Sequence, residues 1–252
     1  MATGPVALIT GGARRIGAEI VRGLHQRQCR VIVHYHRSAA DAEALVAELN
    51  QRRADSAMAL PADLNDPHAV RDLADRALDA FGTLQVLVNN ASSFYPTPLA
   101  QATDQDWDAL MHSNLRAPFL LSQRLAGALA DTGTGAIVNL VDVYAEKPLL
   151  NHSLYCMAKA GLATMTRGLA RELGPTVRVN GVAPGAILWP EPLSSENGQD
   201  QQATIVDATA LGRAGSPGDI AGAVAWLALD APYVTGQILA VDGGRSLSFP
   251  GG

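Results

Sequence analysis

The chain predicts an α/β fold, a single-domain Rossmann-type doubly wound parallel sheet of about seven strands with helices on both faces. Three observations predict it. Short β-type runs alternate with longer helical patterns from one end to the other. The first strand run leads directly into a glycine-rich turn, Thr10-Gly-Gly-Ala-Arg-Arg-Ile-Gly17. No linker or compositional break interrupts the alternation, so residues 1–252 read as one domain.

In chain order, the strand runs are Val6–Thr10, Arg30–His34, Ser56–Pro61, Leu84–Asn89, Ala136–Val141, Val177–Val182 and Gln237–Val241. They are short and mostly apolar, as strands covered on both faces must be. The helical patterns between them cover Ile16–Arg27, Ala39–Arg53, Pro67–Phe81, Leu115–Asp131, Leu154–Leu173 and Pro217–Leu229. One stretch departs from the rhythm: 188–215 holds Pro-Glu-Pro and then the polar run Ser194-Ser-Glu-Asn-Gly-Gln-Asp-Gln-Gln202. A segment of that kind is a substrate lid or a disordered insertion, and its place near the site edge favours the lid.

At 48% apolar and 17% charged residues the chain can bury a sizeable core, and its net charge of −5 offers no basic surface for nucleic acid. Two cysteines, Cys29 and Cys156, make no disulfide framework and fit a reducing cytoplasm. No apolar run of about 18 residues is present to cross a membrane, and the first residues lack the pattern of a secretory leader. No metal site is expected.

The glycines of the first turn let the backbone approach a pyrophosphate, whose charge the following helix N-terminus meets. The segment after the second strand then bears on which dinucleotide binds. An NAD site usually presents a carboxylate there for the ribose hydroxyls. This chain has His34-Tyr-His-Arg-Ser38 and no acid until Asp41. Arg37 and Ser38, with His36 and Arg14, suit a 2′-phosphate, so NADPH is the expected cofactor. Asp63, at the end of the third strand, is expected at the adenine, and Asn89-Asn-Ala91 ends the fourth strand beneath the cofactor.

Tyr155 and Lys159 stand at i and i+4 and share a helix face. A nearby ammonium is expected to favour the phenolate and bring the phenol toward the working range of an acid. Of nineteen basic residues only Lys147 and Lys159 are lysines, and lysine is the compact, flexible cation of the two types. Asp142 follows the apolar run Ala136–Val141, which points its C-terminal end at that helix. The layout is that of a proton-donating site.

These motifs, with Asn114, Pro184-Gly185 and Val241-Asp-Gly-Gly244, follow one another in an order that resembles the short-chain dehydrogenase/reductase superfamily over almost the whole chain. Two departures stand out. Arg15 occupies a position where that family usually has glycine, and Asp142 one where it usually has serine. Both match the pteridine reductases, as do His34-Tyr-His-Arg-Ser-Ala39, Asn89-Asn-Ala-Ser-Ser-Phe-Tyr-Pro-Thr-Pro-Leu99 and Pro148-Leu-Leu150. The resemblance implies NADPH-dependent reduction of a dihydropterin, with dihydrobiopterin, dihydromonapterin and dihydrofolate all open. It implies that Gly11, Ile16, Gly17, Leu64, Asn90, Ala91, Pro184 and Gly185 line the cofactor, beside the residues already named. It further implies that Phe94 stacks on the pterin and that Ser92 hydrogen-bonds pterin or cofactor. By the same resemblance Arg15 is expected to reach the pyrophosphate and pterin edge, Lys159 to bind nicotinamide ribose, and Asn114 to support a proton-relay water. Trp189 is expected near substrate, at the mouth of the lid. Relatives are commonly tetramers, so a homotetramer is expected.

Two other readings stand beside this one. A 3-oxoacyl carrier-protein or other carbonyl reductase would keep activity after Asp142→Ser. A non-catalytic NADPH sensor would not need Tyr155.

Overall fold

The computed structural model describes residues 4–187 and 199–247. Seven strands form one sheet in the order β3-β2-β1-β4-β5-β6-β7, every neighbouring pair parallel. They are β1 (Val6–Ile9), β2 (Arg30–Tyr35), β3 (Ala57–Pro61), β4 (Val86–Asn89), β5 (Gly135–Leu140), β6 (Val177–Pro184) and β7 (Ile238–Val241). The expected runs are all present, with ends displaced by one or two residues.

The helices are α1 (Arg15–Gln26), α2 (Ala39–Arg52), α3 (Pro67–Phe81), α4 (Asp104–Met111), α5 (Ala117–Asp131), α6 (Ser153–Glu172), α7 (Gln199–Asp207) and α8 (Pro217–Leu229). The expected helix over Leu115–Asp131 begins instead in a π-helical turn, His112–Arg116, that continues α4 into α5. Helix α4 was not expected; Thr103 opens it with a reciprocal cap in which its hydroxyl accepts the Asp106 N–H and the Asp106 carboxylate accepts the Thr103 N–H. Helix α7 lies within the expected lid stretch, so part of that polar segment is regular structure.

Alternate residues of each strand face opposite sides, which splits the core in two. Ile9, Val31, Val33 and Val88 pack with Leu24 of α1, Leu45 of α2 and Val224 of α8. Leu8, Ile32, Leu87 and Ile137 pack on the other face with Leu73 of α3 and Leu121 and Leu125 of α5. The strand order reverses between β1 and β4, and at such a switch point the loops leaving the carboxyl ends diverge and open a crevice.

Candidate active site

Except for Asn114, in the π-helical turn, the expected site residues that the structure describes lie at the carboxyl ends of the strands, at the start of α1 or on α6. Gly11–Gly17 follow β1, His36–Ser38 follow β2 and Asp63 and Leu64 follow β3. Asn90–Phe94 follow β4, Asp142 follows β5, and Pro184 and Gly185 close β6. Trp189 and the stretch 188–198 lie outside the described residues.

The glycine-rich turn is built for close approach. Gly11 has φ +59, a conformation that favours glycine, and a Cβ there would lie 3.0 Å from the Ala91 Cα. A Cβ on Gly17 would lie 2.1 Å from the Gly11 carbonyl oxygen and 2.7 Å from Asn90 Nδ2. Arg15 takes φ +52 without being glycine, a conformation costing about 1 kcal/mol or more. Helix α1 starts there with no side-chain cap and no acid in its first turn, leaving its first N–H groups available to an anion. Cradle and helix end fit a dinucleotide pyrophosphate.

Two neighbours hold this turn. The Thr10 hydroxyl accepts the N–H groups of Asn90 and Ala91 at 2.9 and 3.0 Å, while Asn90 Nδ2 donates to the Thr10 and Gly11 carbonyls. His34, not singled out in the sequence, is buried under the turn: its Nδ1 accepts the Gly11 N–H at 3.0 Å, and Nε2 lies 3.2 Å from the Ala62 carbonyl. Burial pushes this imidazole down to about 4, so it is neutral and structural and adds no charge to the basic cluster. Arg14 also differs from expectation. Asp41, in the first turn of α2, reaches it, accepting from Nε at 2.7 Å and lying 2.6 Å from Nη2. Ser38 precedes α2 with no side-chain capping bond of its own, next to Arg37. His36 Nε2 is 3.8 Å from the Asp63 carboxylate.

The chemistry-bearing trio comes together as one group, Tyr155 and Lys159 buried and Asp142 half-buried. The Tyr155 hydroxyl donates to Asp142 Oδ2 at 2.7 Å, and Asp142 Oδ1 accepts the Tyr144 N–H at 2.9 Å, opening the 3-10 turn Val143–Ala145. Lys159 is 2% exposed; its Nζ donates to the Leu140 carbonyl at 2.7 Å and lies 5.6 Å from the centre of the Tyr155 ring. Burial, then the Asp142 charge and hydrogen bond, push the Tyr155 phenol well above the ordinary tyrosine range, with Ser92 acting the other way. The net direction is opposite to the pull toward phenolate expected of Lys159, because the phenol is buried and a carboxylate accepts its hydroxyl. Burial raises the Asp142 carboxyl, opposed by its Tyr144 and Tyr155 hydrogen bonds and by the charges of Lys159 and Arg245. Burial lowers Lys159 to about 8, with Asp142 opposing. Tyr155 and Asp142 are thus joined through one proton, held on the phenol oxygen and directed at the carboxylate.

Phe94 stands beside this pair. It is 42% exposed, edge-on to the Tyr155 ring at 4.8 Å and 78°, and stacked on His152 at 4.7 Å and 14°. His152, not anticipated from the sequence, is fixed by a 2.8 Å contact of Nδ1 with the Leu150 carbonyl. Asn114 is hydrogen-bonded beneath the loop that follows β4. Buried in the π-helical turn, it donates through Nδ2 to the Leu110 and Ser93 carbonyls and accepts the Ser92 hydroxyl at 2.6 Å. It positions the loop carrying Ser92 and Phe94, and the π-helical turn aims it there; nothing local in the sequence signals that turn.

Deeper still, Asn89 Nδ2 donates to Asn139 Oδ1, and Asn139 Nδ2 to the Thr166 hydroxyl, linking β4, β5 and α6. That chain fixes α6, and with it Tyr155 and Lys159, against the sheet. Cys156 is buried, and its sulfur accepts the Leu149 N–H at 3.4 Å. Among the described residues no cluster of metal-ligating side chains occurs, and no helix is long and apolar enough to cross a membrane.

A family model described as enoyl-(acyl carrier protein) reductase matches residues 11–246. Pteridine reductase 1 of Leishmania tarentolae is 37% identical, the alignment covering 98% of each chain. A short-chain type dehydrogenase/reductase of Picea abies is 34% identical over 96% of this chain and 92% of its own. The 3-oxoacyl-(acyl-carrier-protein) reductase FabG of Staphylococcus aureus is 36% identical over 94% of this chain and 96% of its own.

Proposed function

The chain belongs to the short-chain dehydrogenase/reductase family, and we propose that within it the protein is an NADPH-dependent pteridine reductase, converting a dihydropterin to its tetrahydro form. The observation that carries this reading is the hydrogen bond from Tyr155 to a carboxylate, Asp142, where a hydroxyl would suffice for a ketone. A pterin presents ring nitrogens beside the carbon that is reduced, so a proton must reach nitrogen.

Gly11–Gly17, Arg37, Ser38 and Lys159 would hold NADPH, which would supply the hydride for the ring carbon. Tyr155 and Asp142 then deliver the proton that saturates the neighbouring nitrogen, turning a C=N bond into CH–NH. Lys159 offsets the negative charge left on the pair. Phe94 forms one flat wall of the slot, and Ser92, set by Asn114, offers a hydroxyl at its edge. The carboxylate-free segment His36-Arg37-Ser38 supports NADPH over NADH, although Arg14 must share its charge with Asp41.

Loss of NADPH absorbance with dihydrobiopterin, dihydromonapterin, dihydrofolate and acetoacetyl thioester tests the reading. Turnover with a pterin and little with the thioester is expected. Turnover confined to the thioester would refute it and favour a ketoacyl reductase, the activity named for the Staphylococcus relative. The reading includes a cytoplasmic homotetramer whose contacts cover exposed apolar side chains such as Trp107, Phe119 and Trp226. A monomer in sedimentation would remove that part alone.

A further inference from the structure

We infer that Arg245 is a positioning residue of the reaction: from the C-terminal turn it braces the turn that carries Asp142 and sets a fixed positive charge beside that carboxylate. The inference rests on the reading above only in taking Asp142 and Tyr155 as the proton source.

The C-terminal turn is shaped for this. After β7, Asp242 folds the chain back on itself, its Oδ1 accepting the Gly244 N–H at 2.9 Å and its Oδ2 the Ser246 N–H at 2.7 Å. Gly244 has φ +82, and a Cβ there would meet the Ala210 Cβ at 2.8 Å, so the sharp return requires glycine. The return produces a short 3-10 turn, Arg245–Leu247, within hydrogen-bond reach of Tyr144 and Lys147.

Two cationic side chains join the turns. Arg245 Nη2 donates to the Tyr144 hydroxyl at 3.4 Å, and Lys147 Nζ donates to the Ser246 carbonyl. Tyr144 is the residue whose N–H binds Asp142 Oδ1, so Arg245 holds the far side of the peptide turn that aims the carboxylate. Lys147 thus clasps the loop after Asp142 to the C-terminal turn.

Arg245 is half-buried, and among the described residues no carboxylate lies within ion-pair distance of it. Its charge acts instead on Asp142 and Tyr144. The groups facing Asp142 are Tyr144 from its own turn, Tyr155, Cys156 and Lys159 from α6, and Arg245. Only Lys159 and Arg245 among them are cations. When the pair releases its proton, both charges act on the added negative charge.

Removing the Arg245 charge weakens the ionised forms of the pair, so its proton-release steps move to higher pH. The test is the pH profile of kcat/KM for Arg245→Leu and Arg245→Lys, with whichever acceptor turns over, dihydropterin or ketoacyl thioester. The profile of the leucine variant is expected to move up by about 0.5 to 1 unit, with lysine restoring most of the displacement. Because either acceptor serves, failure of the pterin reading leaves this test intact. A uniform loss of rate with an unmoved profile would mean a merely structural role, and a wild-type profile in the leucine variant would equally overturn the inference. Carbon-13 NMR of the Asp142 carboxyl, assigned by its absence in Asp142→Asn, reads the same displacement without turnover. An unmoved titration there would also sink it.

Discussion

Replacing Lys159 by methionine separates what this residue does for the reaction from what it does to the fold. The side chain is 2% exposed, and burial lowers its pKa from 10.5 to about 8. A gap of about 2.5 units is about 3 kcal/mol of preference for the unfolded chain as proton binder. The sign follows from linkage: below pH about 8 both states are charged and the penalty is full, and it fades as pH rises toward the unfolded value. Methionine fills similar space without charge, but it removes the 2.7 Å bond to the Leu140 carbonyl, a loss of about 1 to 2 kcal/mol. The cofactor-free variant should therefore be more stable than the parent by about 1 to 2 kcal/mol near pH 7, and the advantage should disappear or reverse near pH 10. Urea unfolding at the two pH values measures both numbers. A methionine variant less stable at both would refute the claim that Lys159 is held against its desolvation cost. The same variant should lose nearly all turnover.

Three further outcomes follow from the geometry. Gly17→Ala drives a methyl to 2.1 Å from the Gly11 carbonyl oxygen, so the turn must open; NADPH binding by fluorescence titration should weaken by at least about tenfold, and an unchanged Kd would show that the cradle is not the pyrophosphate site. Arg37→Ala should weaken NADPH by about tenfold or more while leaving NADH nearly unaffected, since a charged hydrogen bond contributes about 1.5 to 3 kcal/mol; equal losses for both would locate the phosphate elsewhere. Asp142→Ala should cut pterin turnover by about a hundredfold or more with NADPH binding intact, and wild-type rates would remove the carboxylate from the mechanism.

What the sequence discloses divides by range. Tyr155 and Lys159 are readable because one helical turn separates them, and the seven strands because their apolar runs are local. Helix α4 left a local signal as well: Thr103 three residues before Asp106 is a capping pattern, but a weak one, because the helix is short and carries one fully buried residue, Leu110. His34 is different. Its two partners lie 23 and 28 residues away, so nothing nearby tells the buried structural imidazole from the exposed basic residues beside it. Arg14 met the same difficulty: its charge looked available until folding brought Asp41 to it across 27 positions. Arg245 and Tyr144 are separated by 101 positions, and only the closure of the sheet by β7 brings them together. Strand ends moved because a ladder stops where its neighbour stops, which no single strand encodes.

A carboxylate at position 142 has consequences beyond the proton it helps to move. Burial alone would drive Asp142 to its neutral form, and a neutral acid against a neutral phenol would retain the proton without a base to orient it. The ionised form is sustained by several contributions: the Tyr144 N–H, the Tyr155 hydroxyl, Lys159 and Arg245. Two of these come from backbone or side chains that any member with this turn and helix could supply. The other two are cations, and each has its own requirement. Lys159 must be compact enough for full burial, which a guanidinium would not allow in the same space. Arg245 depends on the glycine turn at 243–244 to return the chain toward Tyr144. Exchanging a hydroxyl for a carboxylate at the end of β5 is thus coupled to the far end of the chain. The acid, the lysine and the C-terminal turn form one electrostatic unit, and substitutions among them should be strongly non-additive.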